Sequence, residues 1–140
     1  EQLKQIVKSP KRDDDETTLE SEAMTLNLMS PIEVDEYTLI RGCELTSEAF
    51  TYFYVYDDTS IPASALTADV IADMKEEHAM QLRAELSSRG GEALKKCLQS
   101  CVRTHRSLTS HYQGEKTGHV FEYGFSPEEL SSLIRQSSAP

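Results

Sequence analysis

The feature that most constrains the fold is an uninterrupted β-prone run, Ala49–Tyr56, in a sequence otherwise rich in helical patterns. Aromatic and β-branched residues fit the pleated, half-buried surface of a strand. The preceding segment, Glu36–Glu44, also alternates apolar and polar residues. We expect the two segments to pair as a hairpin through Leu45–Glu48.

Two helical patterns follow these strands. Apolar residues recur at every fourth position from Leu66 to Leu86, as on the buried face of an amphipathic helix. Gly90-Gly91 ends that pattern, and a second apolar stripe predicts a helix from Glu92 to Tyr112. Two helices joined by so short a link are expected to pack antiparallel as a helical hairpin.

The C-terminal part predicts one more strand and one more helix. His119–Phe125 alternates as a strand does, and Ser126-Pro127-Glu128-Glu129 places Ser, Pro and Glu where a capping box needs them. A length of 140 residues suits one hydrophobic core. The sequence therefore predicts an α+β fold. Its small antiparallel sheet of three to four strands packs against the helical hairpin and a short C-terminal helix, in one domain over residues 31–140.

Residues 1–30 have the composition of an acidic, largely flexible arm, because few large apolar side chains are present to offset the cost of ordering. Within this arm, Met24–Met29 carries apolar residues at every second position, which predicts an edge strand. Ser9 lies in Lys8-Ser9-Pro10-Lys11-Arg12, which resembles the target of a proline-directed kinase. We interpret Ser9 as a phosphorylation site; the alternative is an unmodified charge run.

Charge and composition narrow the classes of partner. Twenty-four acidic and fourteen basic residues give a net charge of -10, which disfavours nucleic-acid binding. No apolar run approaches the ~20 residues of a membrane-spanning helix. Three cysteines argue against a disulfide framework and for a reducing compartment, so a cytoplasmic or nuclear location is expected. Since the chain begins at Glu1 without an initiator methionine, we expect a part of a larger intracellular protein.

Cys97, Cys101 and His105 are candidate zinc ligands, because they fall at successive fourth positions of the second predicted helix. Residues eight apart in a helix are separated by ~12 Å, so these three cannot share one ion. We interpret them as core residues and predict no metal site and no cofactor.

A small enzyme with a Cys/His or an acidic-His site is the alternative interpretation. Cys43 with His119, or His78 beside Glu76 and Glu77, would supply such a site. An acidic protein offers few positive neighbours to activate a thiol, and the position four residues after His78 holds leucine rather than a second histidine.

The strongest candidate for a binding surface is the aromatic strand. Its two faces carry Phe50, Tyr52, Tyr54 and Tyr56 on one side and Thr51, Phe53 and Val55 on the other. If Phe53 and Val55 face the helices, the tyrosines lie on the outer sheet face, where tyrosine is favoured at interfaces. We therefore predict Tyr52, Tyr54 and Tyr56 as partner-binding residues. The alternative is that they cap the edge of the core.

The sequence thus predicts a non-catalytic protein-protein interaction or assembly domain, binding another protein or a second copy of itself. No nucleic acid, membrane or small-molecule substrate is expected. An adaptor that binds its partner by strand addition at Met24–Met29 is a further alternative.

Overall fold

The computed structural model describes the backbone of residues 10–138 and the side chains of residues 14–137. These residues form four α-helices and a five-stranded sheet, which confirms the α+β class. In chain order the elements are α1 (Pro10–Met29), β1 (Ile32–Asp35), β2 (Thr38–Leu45), β3 (Ala49–Tyr56), α2 (Ala68–Leu86), α3 (Glu92–Arg103), β4 (Ser107–Gly114), β5 (Val120–Phe125) and α4 (Pro127–Ser138). Short 3₁₀ turns cover Ala63–Ala65 and Arg89–Gly91.

The sheet is mixed, and this corrects the prediction of three to four antiparallel strands. Its order is β1-β2-β3-β4-β5, and β3 and β4 pair in parallel while the other neighbours are antiparallel. A parallel pair needs a long crossover connection, which α2 and α3 supply here. The predicted hairpin of β2 and β3 is confirmed, with Cys43 opposite Tyr52.

The fourth strand was hidden inside the second predicted helix, which ends at Arg103 instead of Tyr112. His105 takes the left-handed conformation, with a φ of 58°. The amide of Arg106 donates to the carbonyl of Cys101 at 2.8 Å, and the amide of His105 donates to that of Val102 at 3.1 Å. This pair of bonds is a Schellman motif in which histidine replaces the usual glycine, so the helix stops and β4 begins two residues later.

Helices cover one face of the sheet, the inner face. Phe50 on β3, Leu108 on β4 and Phe125 on β5 lie opposite one another there, all buried. They share one core with buried residues from all four helices, which include Leu19, Leu82, Leu98 and Leu130. Full burial of each such side chain contributes about 1.5–3 kcal/mol.

The helical pair α2–α3 is more open than a hairpin. The two helices meet mainly at their junction, and α3 packs chiefly on α1 and α4. The helix α2 begins at its N-cap Thr67, whose hydroxyl accepts from the amide of Val70. The opening between α2 and α3 lies above the inner face of the sheet, and the candidate site occupies it.

The capping box of the last helix is confirmed. The amide of Glu129 donates to Ser126 Oγ at 3.1 Å, and the amide of Ser126 donates to Glu129 Oε1 at 2.9 Å. Leu130 and Leu133, which the pattern placed on the apolar side, are buried.

A helix replaces the expected flexible arm over residues 10–29, while residues 1–9 lie outside the described part of the chain. The predicted edge strand at Met24–Met29 is wrong, because Met24 and Leu28 project from the solvent side of α1. The side chains that face the core are Asp15, Leu19, Ala23 and Leu26. This stripe carries little apolar surface and includes a carboxylate, so hydrophobic periodicity does not reveal it.

Two ion pairs fasten the first half of α1, and each has one buried partner. Asp15 accepts from Arg103 Nε and Nη2, each at 2.9 Å. Glu16 accepts from Arg106 Nη1 at 2.7 Å, and Arg106 Nε also donates to the carbonyl of Thr46 at 2.6 Å. Asp15 and Glu16, which belong to the acidic run expected in a solvated arm, therefore attach α1 to the rest of the domain.

Asn27 attaches the other end of α1 to the sheet. Its Oδ1 accepts from the amide of Cys43 at 2.8 Å, and its Nδ2 donates to the carbonyl of Cys43 at 3.1 Å. The strand β1 pairs with β2 only as far as Ile40, so the Asn27 amide satisfies an edge that no strand covers.

Asp58 fixes the turn between β4 and β5. Its carboxylate accepts from the amide of Lys116 at 3.0 Å and from the amide and hydroxyl of Thr117 at 2.7 and 2.6 Å. Gly114 leaves room for this approach, since a Cβ there would overlap the carboxylate. The hydrogen bonds from Thr117 lower the pKa of Asp58 to about 2.

Replacing the buried arginine tests the docking of α1. Arg106 is 6% exposed, and Arg106→Ala removes three hydrogen bonds, two of which are to the carboxylate of Glu16. We expect the free energy of unfolding to fall by about 2–4 kcal/mol in urea denaturation. Arg135→Ala, at an exposed position of α4, is the control, with a change within about 0.5 kcal/mol. Equal effects of the two substitutions would refute the anchoring role.

Acid should weaken the fold through Asp58 and Asp15, whose pKa values both lie below the usual value in the folded state. The folded state then binds fewer protons than the unfolded state, so this stabilisation is present above about pH 4 and is lost toward pH 2. Thermal unfolding followed by circular dichroism should show this loss. The loss of stability between about pH 4 and pH 2 should be smaller in Asp58→Asn. Asp73→Asn on α2 is the matched control and should lose stability as the wild type does. An unchanged acid slope in Asp58→Asn would contradict the assignment.

Candidate functional site

The tyrosine row faces the helices, which overturns the premise that placed it on the outer sheet face. Tyr52, Tyr54 and Tyr56 alternate with the fully buried Phe50, so all four side chains project from the inner face. Tyr56 is buried, and its hydroxyl has no hydrogen-bond partner among the described residues. It is therefore not accessible to a partner, whereas Tyr52 and Tyr54 are only half-buried.

Tyr52 and Tyr54 form part of the floor of a groove beneath α2, which we call the tyrosine groove. Its inner recess, of about 290 Å³, lies where α1, α2 and α3 meet the sheet. An outer recess of about 230 Å³ adjoins it toward β1 and shares Tyr54 and His78. The inner recess is lined mainly by Glu22, Tyr52, Tyr54, His78, Glu85 and Leu94, and the outer recess by Asp35, Tyr54, Glu77, His78, Tyr112 and Tyr123.

Stacked rings from three strands make the floor of the groove rigid. The rings of Tyr54 and Tyr112 stack with centroids 4.5 Å apart and planes 9° apart. Tyr112 also stacks on Phe121 at 4.7 Å, across the β4–β5 pair. Each such aromatic pair contributes about 0.5–1.5 kcal/mol beyond its buried area. The groove thus presents a preformed aromatic surface.

His78 projects from α2 toward this floor. Its Nδ1 lies 3.0 Å from the hydroxyl of Tyr123, and its ring meets Tyr123 and Phe125 edge-on. Burial lowers the pKa of His78, so the imidazole is neutral at neutral pH. His78 therefore brings no positive charge to the groove.

The phenols of the groove also remain uncharged. Burial raises the pKa of Tyr54 to about 12 and the pKa values of Tyr52 and Tyr112 still further. A phenol with so high a pKa is a poor base or nucleophile at neutral pH, but it can donate a hydrogen bond. The hydroxyl of Tyr52 makes no hydrogen bond to a described residue, so it can bond a ligand in the inner recess.

The thiols that a Cys/His enzyme would use are buried. Cys43, Cys97 and Cys101 are free and have at most 8% of their surface exposed. Burial raises the pKa of Cys43 to about 11, and a hydrogen bond with Cys101 together with burial raises that of Cys97. Cys43 on β2 and His119 next to β5 are three strands apart, or about 14 Å, so they do not meet.

The remaining candidates do not converge on a site. His105 is exposed in the turn after α3, away from the helix face on which the sequence placed it beside Cys97 and Cys101. In the part of the chain that the structure describes, no three His, Cys, Asp or Glu side chains are placed to hold a metal ion. None of the helices in residues 10–138 is both long and apolar enough to cross a bilayer. Ser9 lies outside the described residues, so its phosphorylation stays a prediction.

The outer sheet face carries polar side chains that pair with one another. His111 Nδ1 lies 2.8 Å from Glu122 Oε2, and the His111 ring contacts Phe53 edge-on at 5.3 Å. The guanidinium of Arg41 lies 5.9 Å from the centroid of the Phe53 ring. This pattern is typical of a solvated face.

Comparison with known proteins identifies the fold and no family. No family model matches the chain. No curated protein is significantly similar in sequence. The fold is similar to the crystal structure of a "putative secreted protein" from Pseudomonas aeruginosa, with a TM-score of 0.56 and 16% identity. The match covers 86% of this chain and 96% of that one.

This likeness contradicts the predicted cytoplasmic or nuclear location, and with it the intracellular parent protein, because the similar structure is that of a protein described as secreted. The prediction rested on the number of cysteines. All three are free and buried in the core. Free cysteine packs there as a small apolar side chain, so its number does not report the compartment.

Tyr52 and Tyr54, which the sequence singles out, line the groove, but the sequence analysis did not single out the other residues around them. Tyr112 was assigned to a helix, although Leu108, Ser110 and Tyr112 alternate with polar residues as a strand would. Glu22 was assigned to the flexible arm. The alternation in β4 was the available signal, and nothing in the sequence placed Glu22 at the groove.

Native thiols should resist modification. Because all three are buried, and burial also raises the pKa of Cys43, we expect negligible reaction with Ellman's reagent in buffer at mildly alkaline pH. Unfolding in guanidinium should release all three. A thiol that reacts rapidly in the native protein would contradict this burial and would favour the alternative of an enzyme with a Cys/His site.

Proposed function

We propose that the chain is a non-catalytic protein-interaction domain whose tyrosine groove holds a segment of a partner protein. The observation that carries the proposal is the stacked floor of Tyr54 and Tyr112, open between α2 and the sheet. Tyrosine offers a large contact area together with a hydrogen-bonding hydroxyl, and it is enriched where proteins bind one another.

The groove consists of two adjoining recesses, which suits successive side chains of an extended segment. The inner recess, of about 290 Å³, would receive one of them. The adjoining outer recess extends the groove along α2 and would receive a neighbouring residue.

The outer sheet face is the weaker candidate for the same role. Its Phe53 ring is already contacted by Arg41 and His111, and His111 is engaged by Glu122. A partner binding there would first have to displace these contacts. In the tyrosine groove, by contrast, the hydroxyl of Tyr52 makes no hydrogen bond to a described residue and can bond to a partner directly.

An enzyme with an acidic-His site remains the alternative, with His78 as its base. Against it, the Nδ1 of His78 is engaged by the Tyr123 hydroxyl, and Glu77 makes no ion pair or hydrogen bond to His78. A histidine base would need a polarising partner and a substrate within hydrogen-bond reach. Among the described residues, the His78 ring contacts the aromatic side chains of Tyr123 and Phe125.

Filling the groove tests the proposal. Ala93 is exposed on α3 and lines the inner recess, so Ala93→Trp should fill the recess with little effect on the core. Peptides selected from a displayed random library against the wild-type chain should bind Ala93→Trp at least about tenfold more weakly, since a blocked pocket loses its anchor side chain.

Ala84→Trp is the matched control, because Ala84 is exposed on α2 and does not line either recess. It should bind the selected peptides as the wild type does. Failure of the library to yield any binding peptide, or equal binding to both tryptophan variants, would overturn the proposal.

A further inference from the structure

The rim of the tyrosine groove is acidic, and no described lysine or arginine lines it. Glu22 on α1 and Glu85 on α2 line the inner recess, while Asp35 and Glu77 line the outer recess. Neither lining contains lysine or arginine. The whole chain carries a net charge of -10, so the potential in the groove is negative.

Some acidic groups of the same helices are paired with arginine, but Glu22 and Glu85 are not. Asp15 on α1 is held by Arg103, and Glu76 on α2 lies within 4.0 Å of Arg83. Glu22 and Glu85 make no ion pair with any described residue. They therefore keep their full capacity to accept hydrogen bonds from a bound cation.

The floor of the inner recess is compatible with a bound cation. Tyr52 and Tyr54 line this recess with ring planes 20° apart, whereas Tyr112 lines the outer recess and stacks on Tyr54 at 9°. His78 and the phenols are uncharged at neutral pH, so they bring no positive charge that would repel a cation.

A planar cation fits this arrangement better than a spherical one. Guanidinium donates several hydrogen bonds in its plane, whereas ammonium is a compact, strongly hydrated point charge. Carboxylates from two different helices and the unpaired Tyr52 hydroxyl are placed to accept or share these bonds around the recess. A recess of about 290 Å³ also matches one long side chain rather than a folded surface.

We propose that the inner recess binds an arginine side chain of the partner segment, with the guanidinium near the Tyr52 hydroxyl and its charge paired with Glu22 and Glu85. This inference rests on the proposed function and specifies the chemistry of its ligand. The outer recess, with Asp35 and Glu77, extends the negative potential toward the next residue of the segment.

The test uses three blocked pentapeptides that differ only at the central residue: Gly-Gly-Arg-Gly-Gly and its citrulline and lysine analogues. Each is titrated into the full chain, and the resonances of Tyr52, Tyr54 and His78 are followed by NMR. The arginine peptide should shift these resonances. Citrulline has nearly the same shape without the charge, and it should bind at least about tenfold more weakly. Equal binding of either analogue, or no response to the arginine peptide, would overturn the inference.

A charge-matched pair of variants locates the site. Glu22→Gln combined with Glu85→Gln should weaken binding of the arginine peptide by about tenfold, because both acceptors of charge are lost. Glu20→Gln combined with Glu76→Gln removes the same charge from the same two helices outside the groove. This control pair should bind within about twofold of the wild type. Equal losses in both pairs would mean that net charge, and not the recess, attracts the peptide.

The two proposals fail in distinguishable ways. Library peptides that bind the groove but lack arginine would overturn the inference and leave the interaction function standing. No groove-dependent peptide of any sequence would overturn both.

Discussion

The register of the parallel β3–β4 pair determines how the aromatic side chains of these two strands lie beside one another. Phe50 lies opposite Leu108, and both are buried beneath the helices. Because side chains alternate along a strand, Tyr52 and Tyr54 must share the inner face with Phe50. The same register sets Tyr112 opposite Tyr54 and so builds the stacked floor. A slip of one residue would turn that floor toward solvent.

The space above the floor exists because α3 packs on α1 and α4 instead of lying along α2. The pairs Asp15–Arg103 and Glu16–Arg106 hold α1 in place, one directly on α3 and one just beyond its end. Asn27 fixes the other end of α1 to β2. The helix that looked like a disordered arm is thus a wall of the groove and supplies Glu22 to it.

Much of the fold could be predicted from local patterns, and the errors of that prediction have identifiable causes. The β2–β3 hairpin, α2 and the capping box of α4 each carry a strong local signal, and all are present. The end of α3 was missed because histidine, and not glycine, takes the left-handed turn. The helix α1 was missed because the ion pair between Asp15 and Arg103 lies where an amphipathic helix would normally have an apolar contact. The sequence singles out Tyr52 and Tyr54, but the sheet face that they occupy depends on tertiary packing, which the alternation of side chains alone does not determine.

The tyrosine row lies under the helices and forms the floor of a groove. Nuclear Overhauser effects between assigned aromatic protons test this placement most directly. We expect strong cross-peaks between the rings of Tyr54 and Tyr112, and between those of His78 and Tyr123, with centroids 4.5 and 5.7 Å apart. Cross-peaks from Phe53 and Val55 to core residues of α2 and α3, with none from Tyr52 or Tyr54, would contradict it.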